Sequence, residues 1–260
     1  MKPALCIFKD VNLLHRKAAG VFTKTAINAT TERGRFLVAL SGGNTPLQLY
    51  RLLAEEPYRK QIEWSRVHVF WGDERCVPPD DPENSYGQAR KVLLDQVSIP
   101  AEGIHRIRSE LEPAAAAIAY AHTLKEFASN GPDWPRFDLV LLGMGEDGHT
   151  ASLFPGSEVN VPSPVLPVTA KYQDRPANRV TLTPLVFNSA RQIIFLVAGR
   201  NKAKILSQVL GDAHDPVLYP VQRIHPLDGT VTWLMDEDAA SMLPSELRKE
   251  TCEEMIWNSQ

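Results

Sequence analysis

Apolar residues in this chain fall into short unbroken runs separated by stretches with helical spacing. Ala4–Phe8, Arg35–Leu40, Arg66–Trp71, Phe137–Leu142, Arg179–Leu182, Gln192–Ala198 and Thr230–Leu234 have the length and apolar content of strands. A continuous run, as opposed to an alternating one, predicts a strand covered on both faces. Asp10 is placed to cap a helix running to about Ala29, with Val11, Leu14, Ala18, Val21 and Phe22 on one face. A second helix follows the second strand, with Thr45 as N-cap, Pro46 at the first helical position and Leu47, Tyr50 and Leu53 spaced along it. Helices are also predicted over Tyr86–Val97, over Glu112–Ser129, from Gly199 through Leu210, and over Pro244–Trp257. Val77–Ser85 is proline-rich and predicts an irregular loop; Gly156–Pro167 predicts an exposed, mobile one. Strands alternating with helices predict an α/β fold, a mainly parallel sheet with helices on both faces. Residues 1–260 are expected to form a single domain, although Pro162, Pro164 and Pro167 offer a place where a lobe boundary could fall.

Three of the strands end in loops that carry polar chemistry. Ligands in open α/β sheets bind outside the carboxyl ends of strands. Phe137–Leu142 stops at Gly143-Met144-Gly145 and is followed by Glu146, Asp147 and His149. Histidine titrates near neutrality in its unperturbed state, which suits a general base. The competing reading is a structural imidazole bonded to a loop carbonyl, with Asp147-Gly148 as an ordinary turn. Arg35–Leu40 runs into Ser41-Gly42-Gly43-Asn44-Thr45-Pro46. Glycines there let the backbone approach a ligand, and free N–H groups at a helix start attract anions. The pattern is not a Walker loop, because no Lys-Ser/Thr follows the glycines. A tight strand-to-helix turn without a ligand is the alternative. Arg66–Trp71 leads into Gly72-Asp73-Glu74-Arg75. Arg75 carries a planar fork of donors suited to phosphate, and Asp73 or Glu74 is placed to orient that fork or a neighbouring histidine. Taken singly, this stretch is a solvated charge run. Together the three loops describe a site for a phosphorylated small molecule with a base beside it.

Composition narrows the class. Hydrophobic residues make up 43% and charged residues 23%, as in an ordinary globular protein. The net charge of −3 offers no basic face for nucleic acid. An anionic substrate must then be drawn by a local cluster, for which Arg75, Lys202 and Arg223 are candidates. No apolar run reaches the length of a membrane span, and the first ten residues lack a signal-peptide pattern. Cys6, Cys76 and Cys252 have neither metal-site nor disulfide spacing, which fits a reducing cytoplasm.

SGGNTP, WGDERCVPPDDPENSYGQAR and LLGMGEDGHTASLFP, with AGRNKA after the Gln192–Ala198 strand, resemble the 6-phosphogluconolactonase family. The likeness runs from the first strand to about Trp233. That family shares its fold with glucosamine-6-phosphate deaminases, which carry Asp-Glu-Tyr where this chain has Asp73-Glu74-Arg75. The resemblance implies a modified Rossmann-like fold of the isomerase/lactonase/CoA-transferase type. It implies hydrolysis of 6-phospho-D-glucono-1,5-lactone in the oxidative pentose phosphate pathway. His149 would act as general base, Asp147 and Asp73 would assist it, and Ser41, Gly42, Gly43, Asn44, Thr45, Arg75, Lys202 and Arg223 would hold the substrate and its phosphate. No cofactor or metal is implied, and the expected partner is the sugar-phosphate lactone, with no nucleic acid or membrane. A monomer or weak homodimer is expected. His225 departs from the family pattern, in which an arginine is often seen near the end of the chain. The alternatives are a deaminase/isomerase acting on an amino-sugar phosphate, and a non-catalytic sugar-phosphate-binding regulator.

Overall fold

In the computed structural model, which describes residues 3–129, 131–211 and 214–248, the unbroken apolar runs build the centre of a six-stranded sheet. In chain order the elements are β1 (Ala4–Phe8), α1 (Val11–Arg33), β2 (Phe36–Leu40), α2 (Asn44–Leu53), α3 (Tyr58–Gln61), β3 (Val67–Trp71), β4 (Asp73–Arg75), α4 (Ser85–Val92), α5 (Pro113–Glu126) and β5 (Leu139–Leu142). There follow β6 (Val165–Thr169), β7 (Asn178–Leu182), α6 (Pro184–Phe187), β8 (Gln192–Val197), α7 (Ala203–Val209), β9 (Thr230–Asp236) and α8 (Ser245–Arg248). The large sheet has the order β1-β9-β8-β5-β2-β3, and every pairing in it is parallel. All residues of β2 and β5 are buried. Successive residues of a strand point to opposite faces, so complete burial means that both faces are covered.

The strand order reverses direction at the centre. From β2 the chain passes outward to β3; from β5 it passes the other way to β8. The crevice between the carboxyl ends of β2 and β5 is therefore a topological switch point, where folds of this class bind ligands. One apolar core includes Leu5 on β1 and Leu243 near the end of the described chain, with Trp71, Tyr50 and Tyr120 among its largest fully buried side chains. The last two also brace strand ends. The Tyr50 hydroxyl donates to the Ser41 carbonyl at 2.7 Å and accepts from the Ser41 N–H at 3.0 Å. The Tyr120 hydroxyl does the same for Trp71, at 2.9 Å each way.

A second, three-stranded antiparallel sheet, ordered β4-β7-β6, was not foreseen. The Arg179–Leu182 run belongs to it and not to the large sheet. Val165–Thr169 falls partly inside the segment expected to be loose, yet it forms β6, with Pro167 opposite Val180. Proline lacks a ladder donor and is tolerated because β6 is an edge strand. The start of that segment is also fixed, since Arg223 bonds the backbone carbonyls of Ser157 and Glu158.

Smaller differences have local causes. Helix α2 begins at Asn44 behind Gly43, so Thr45 is inside the first turn and does not cap it. Asp10 does cap α1, accepting from Leu13 N–H at 2.8 Å. The Tyr86–Val97 prediction resolves into α4 and a 3₁₀ turn over Leu94–Gln96. Of the helix predicted over Pro244–Trp257, Ser245–Arg248 is helical, and the remainder from residue 249 lies outside the described residues. Cys6 is disulfide-bonded, where the spacing predicted no bridge.

Candidate active site

At the switch point lies a cavity of about 410 Å³. The loop after β2 supplies Ser41, Gly42, Gly43, Asn44 and Thr45; the loop after β5 supplies Gly143, Met144, Gly145, Glu146 and His149. β4 contributes Asp73 and Arg75, and the end of β8 brings in Ala198, Asn201 and Lys202. The structure thus gathers ten of the eleven sequence-predicted site residues, Asp147 being joined to the cavity through His149.

The β5 loop owes its shape to contacts made by small and polar residues. Gly145 N–H donates to the His149 carbonyl at 2.8 Å, closing a tight turn. A Cβ at Gly145 would lie 2.1 Å from His149 Nδ1, so only glycine leaves the imidazole its place. Thr150 ties the loop to the strand end through Gly143 O at 2.8 Å. Asp147 Oδ1 accepts the His149 backbone N–H at 3.1 Å and contacts His149 Nδ1 at 2.6 Å. The turn role and the chemical role foreseen as competitors are therefore filled by one oxygen. This contact places the ring proton on Nδ1 and leaves Nε2 as the acceptor. Burial pushes the Asp147 carboxyl up, but its hydrogen bonds and attraction to His149 outweigh this and hold it below its ordinary value. The imidazole is packed between Phe154 and Tyr172, each with its ring centroid 4.6 Å away.

The loop after β2 lies against the N-terminal end of α4. A Cβ on Gly42 would sit 2.2 Å from Ser85 Oγ, so the Ser85 side chain takes the space that a side chain at position 42 would need. Glu74 points away from the cavity into the protein and accepts N–H bonds from Arg75 at 2.9 Å and from Ser85 and Tyr86 at 2.8 Å. Burial raises its pKa to about 7 in spite of those three donors. Glu74 is thus a brace beneath Arg75 and α4.

Asp73 meets neither histidine nor Arg75 in a direct bond; it accepts from Ser152 Oγ at 2.7 Å. Arg75 donates to the Glu83 carbonyl at 2.8 Å and reaches the Glu83 carboxylate at 3.4 Å. Arg175 shares that carboxylate at 3.0 Å. Burial lowers the Lys202 pKa, and the nearby Glu146 and Asp147 charges oppose the shift. Gly199, ahead of Lys202, is fixed by its N–H to Asp236 at 3.0 Å.

Arg223 is the exception among the predicted residues. It is buried away from the cavity, donating to Pro216 O at 2.6 Å, to Ser157 Oγ and Ser157 O at 3.0 Å and to Glu158 O at 3.1 Å. These bonds make it a clamp between two loops, and we withdraw it from the substrate site. Cys76 is half-buried, and burial pushes its thiol up to about 11, the opposite of an activated nucleophile.

The turn between β6 and β7 adds residues that the sequence reading missed: Tyr172, Gln173 and Arg175, with Arg179 from β7 itself. Nothing local marks the first three, because pairing across the small sheet brings them to the site. Arg179 opens the Arg179–Leu182 run as Arg35 and Arg66 open theirs, so its position in the sequence did not set it apart.

The chain matches the family described as glucosamine-6-phosphate isomerases/6-phosphogluconolactonase over residues 9–233. A 6-phosphogluconolactonase of Aggregatibacter actinomycetemcomitans is 41% identical over 206 residues, 79% of this chain and 87% of that one. A 6-phosphogluconolactonase of Nostoc sp. is 38% identical over 245 residues, 94% of this chain and 99% of that one. Among solved structures, the crystal structure of devB protein superimposes with a TM-score of 0.85 at 36% identity, covering 94% of this chain and all of the other. Among the described residues no helix is long and apolar enough to cross a membrane.

Proposed function

This chain belongs to the glucosamine-6-phosphate isomerase/6-phosphogluconolactonase family, and we propose that it hydrolyses 6-phospho-D-glucono-1,5-lactone to 6-phospho-D-gluconate. It is a hydrolase of the 6-phosphogluconolactonase type. The observation that carries the mechanism is the 2.6 Å contact between Asp147 and His149 Nδ1 at the wall of a cavity shared with a glycine loop and cations.

His149 Nε2 takes a proton from water as its oxygen attacks the lactone carbonyl carbon. The carbonyl electrons move onto oxygen, giving a tetrahedral oxyanion. Its collapse breaks the bond to the ring oxygen, which receives the proton, and the product acid ionises to a carboxylate. A lactone is an activated ester, so holding the ring, directing the proton and stabilising the oxyanion are sufficient help. Asp147 fixes the tautomer and stabilises the imidazolium that forms. Asp73, held by Ser152 three residues beyond His149, adds a fixed negative charge to the cavity lining. Ser41, Gly42, Gly43, Asn44 and Thr45 offer N–H groups to phosphate or sugar oxygens at the start of α2, and Arg75 and Lys202 supply positive charge. No cofactor enters this reading. The chain is taken to act as one unit over residues 1–260, as a monomer or weak homodimer in the cytoplasm.

The test is release of acid from the phosphorylated lactone, corrected for spontaneous opening and run with a strong chelator present. The expected result is catalysed hydrolysis without added metal. Ammonia release from glucosamine 6-phosphate with no lactone turnover would move the chain to the deaminase reading.

A further inference from the structure

Arg179 differs from the other cations of the cavity. It is 3% exposed, and its Nε and Nη2 find no hydrogen-bond partner among the described residues. Its guanidinium carbon lies 5.4 Å from the centroid of the Phe154 ring. The same ring packs against His149. Arg179 therefore stands on a strand, with a ring beneath it, in the wall that carries the base. Burial lowers its pKa, with the Asp73 charge opposing, but a guanidinium stays protonated in proteins.

The nearby carboxylates are already committed. Asp73 holds Ser152, and Glu83 is shared by Arg75 and Arg175. Three guanidiniums thus face two carboxylates. A buried cation with idle donors is unfavourable until an anion meets it, and the planar fork of arginine matches the paired oxygens of a phosphoryl or carboxylate group.

We propose that Arg179 is an anion-binding residue of this cavity, whose Nε–H and Nη2–H receive an oxyanion of the bound sugar acid. The chemistry is shared by the phosphoryl group and by the carboxylate that ring opening creates. The assignment of the ligand as a sugar acid rests on the proposed function; the assignment of an anion site rests on the geometry alone.

Calorimetry with inorganic phosphate, D-gluconate and 6-phosphogluconate on the wild type, Arg179→Gln and Arg179→Lys tests this. Arg179→Gln is expected to weaken 6-phosphogluconate at least tenfold, with Arg179→Lys in between because it keeps the charge and loses the fork. Loss of phosphate binding assigns the guanidinium to the phosphoryl group; loss of gluconate binding with phosphate retained assigns it to the carboxylate. A mutation-free readout guards against a variant that fails to fold. The wild-type Arg179 Nε–H resonance, assigned through bonds from its own backbone, is expected to shift when 6-phosphogluconate is added. Wild-type affinity in a folded Arg179→Gln, an unmoved resonance at saturation, or a wild type that binds none of the three ligands overturns the proposal. Lactone turnover is measured separately. A protein without turnover that loses anion binding on Arg179→Gln would refute the lactonase reading and keep the anion site.

Discussion

Replacing Asp147 by Asn removes one charge and little else. The amide keeps the shape, and its oxygen can still accept from the His149 backbone N–H now held at 3.1 Å. What is lost is a charge-assisted bond at 2.6 Å to the imidazole. Hydrogen bonds to charged groups contribute about 1.5–3 kcal/mol. If that amount is withdrawn from the imidazolium formed in the transition state, kcat falls about 10- to 100-fold, at about 1.4 kcal/mol per decade. The His149 and Asp147 side chains are 14% and 33% exposed, so solvent screening favours the lower half of that range. The assay is saturation kinetics on the lactone, with kcat and KM separated. KM is expected to change little, since Asp147 is outside the cavity lining. Because Asp147 acts through His149, Asp147→Asn made in a His149→Ala background should cost almost nothing further. His149→Ala alone should lower kcat about 10²- to 10⁴-fold. Fully additive losses in the double variant, or an unchanged kcat in Asp147→Asn, would refute the coupled pair.

Gly145→Ala should abolish most turnover while the protein remains folded, because its Cβ would lie 2.1 Å from His149 Nδ1 and must displace the ring; circular dichroism with kcat checks both halves. Glu74 binds a proton up to about pH 7 when folded, whereas the free side chain loses it near 4.5. Its contribution to stability is full below pH 4.5 and declines as pH rises toward 7 and beyond; urea midpoints at pH 5 and 7.5 should separate more in the wild type than in Glu74→Gln. Burial lowers the Lys202 pKa, so its charge is lost at a lower pH than for an exposed lysine. Affinity for 6-phosphogluconate should weaken on the alkaline side within that lowered range, and Lys202→Met should be weaker at neutral pH and lack the alkaline decline.

Elements whose neighbours in space are also neighbours in sequence were readable in advance. The Phe36–Leu40 and Leu139–Leu142 runs state their own burial, and Asp10 announces the start of α1 because a cap is a contact across three residues. The loops at Ser41 and Gly143 follow from the same runs, since a parallel strand must end in a turn. The small sheet was not readable. Asp73-Glu74-Arg75 is polar and only three residues long, and Pro167 contradicts strand propensity, so neither reveals that it pairs with residues 178–182. Tyr172 and Arg175 were lost with it, as was the clamp role of Arg223, which depends on carbonyls some 65 residues away. The chemistry that was foreseen came from single loops, and the part that was missed came from pairing between distant segments.

One consequence of the small sheet concerns linkage. Arg75 and Arg179 are register partners on antiparallel strands, so their side chains leave the same face directly opposite each other. Like charges in that position repel and weaken the strand pair. An anion that settles between them removes the repulsion, and whatever binds the folded arrangement preferentially stabilises it by mass action. With an anion bound at the proposed Arg179 site, the contact between β4 and β7 is expected to tighten as the concentration of that anion rises, whether or not any lactone is being turned over.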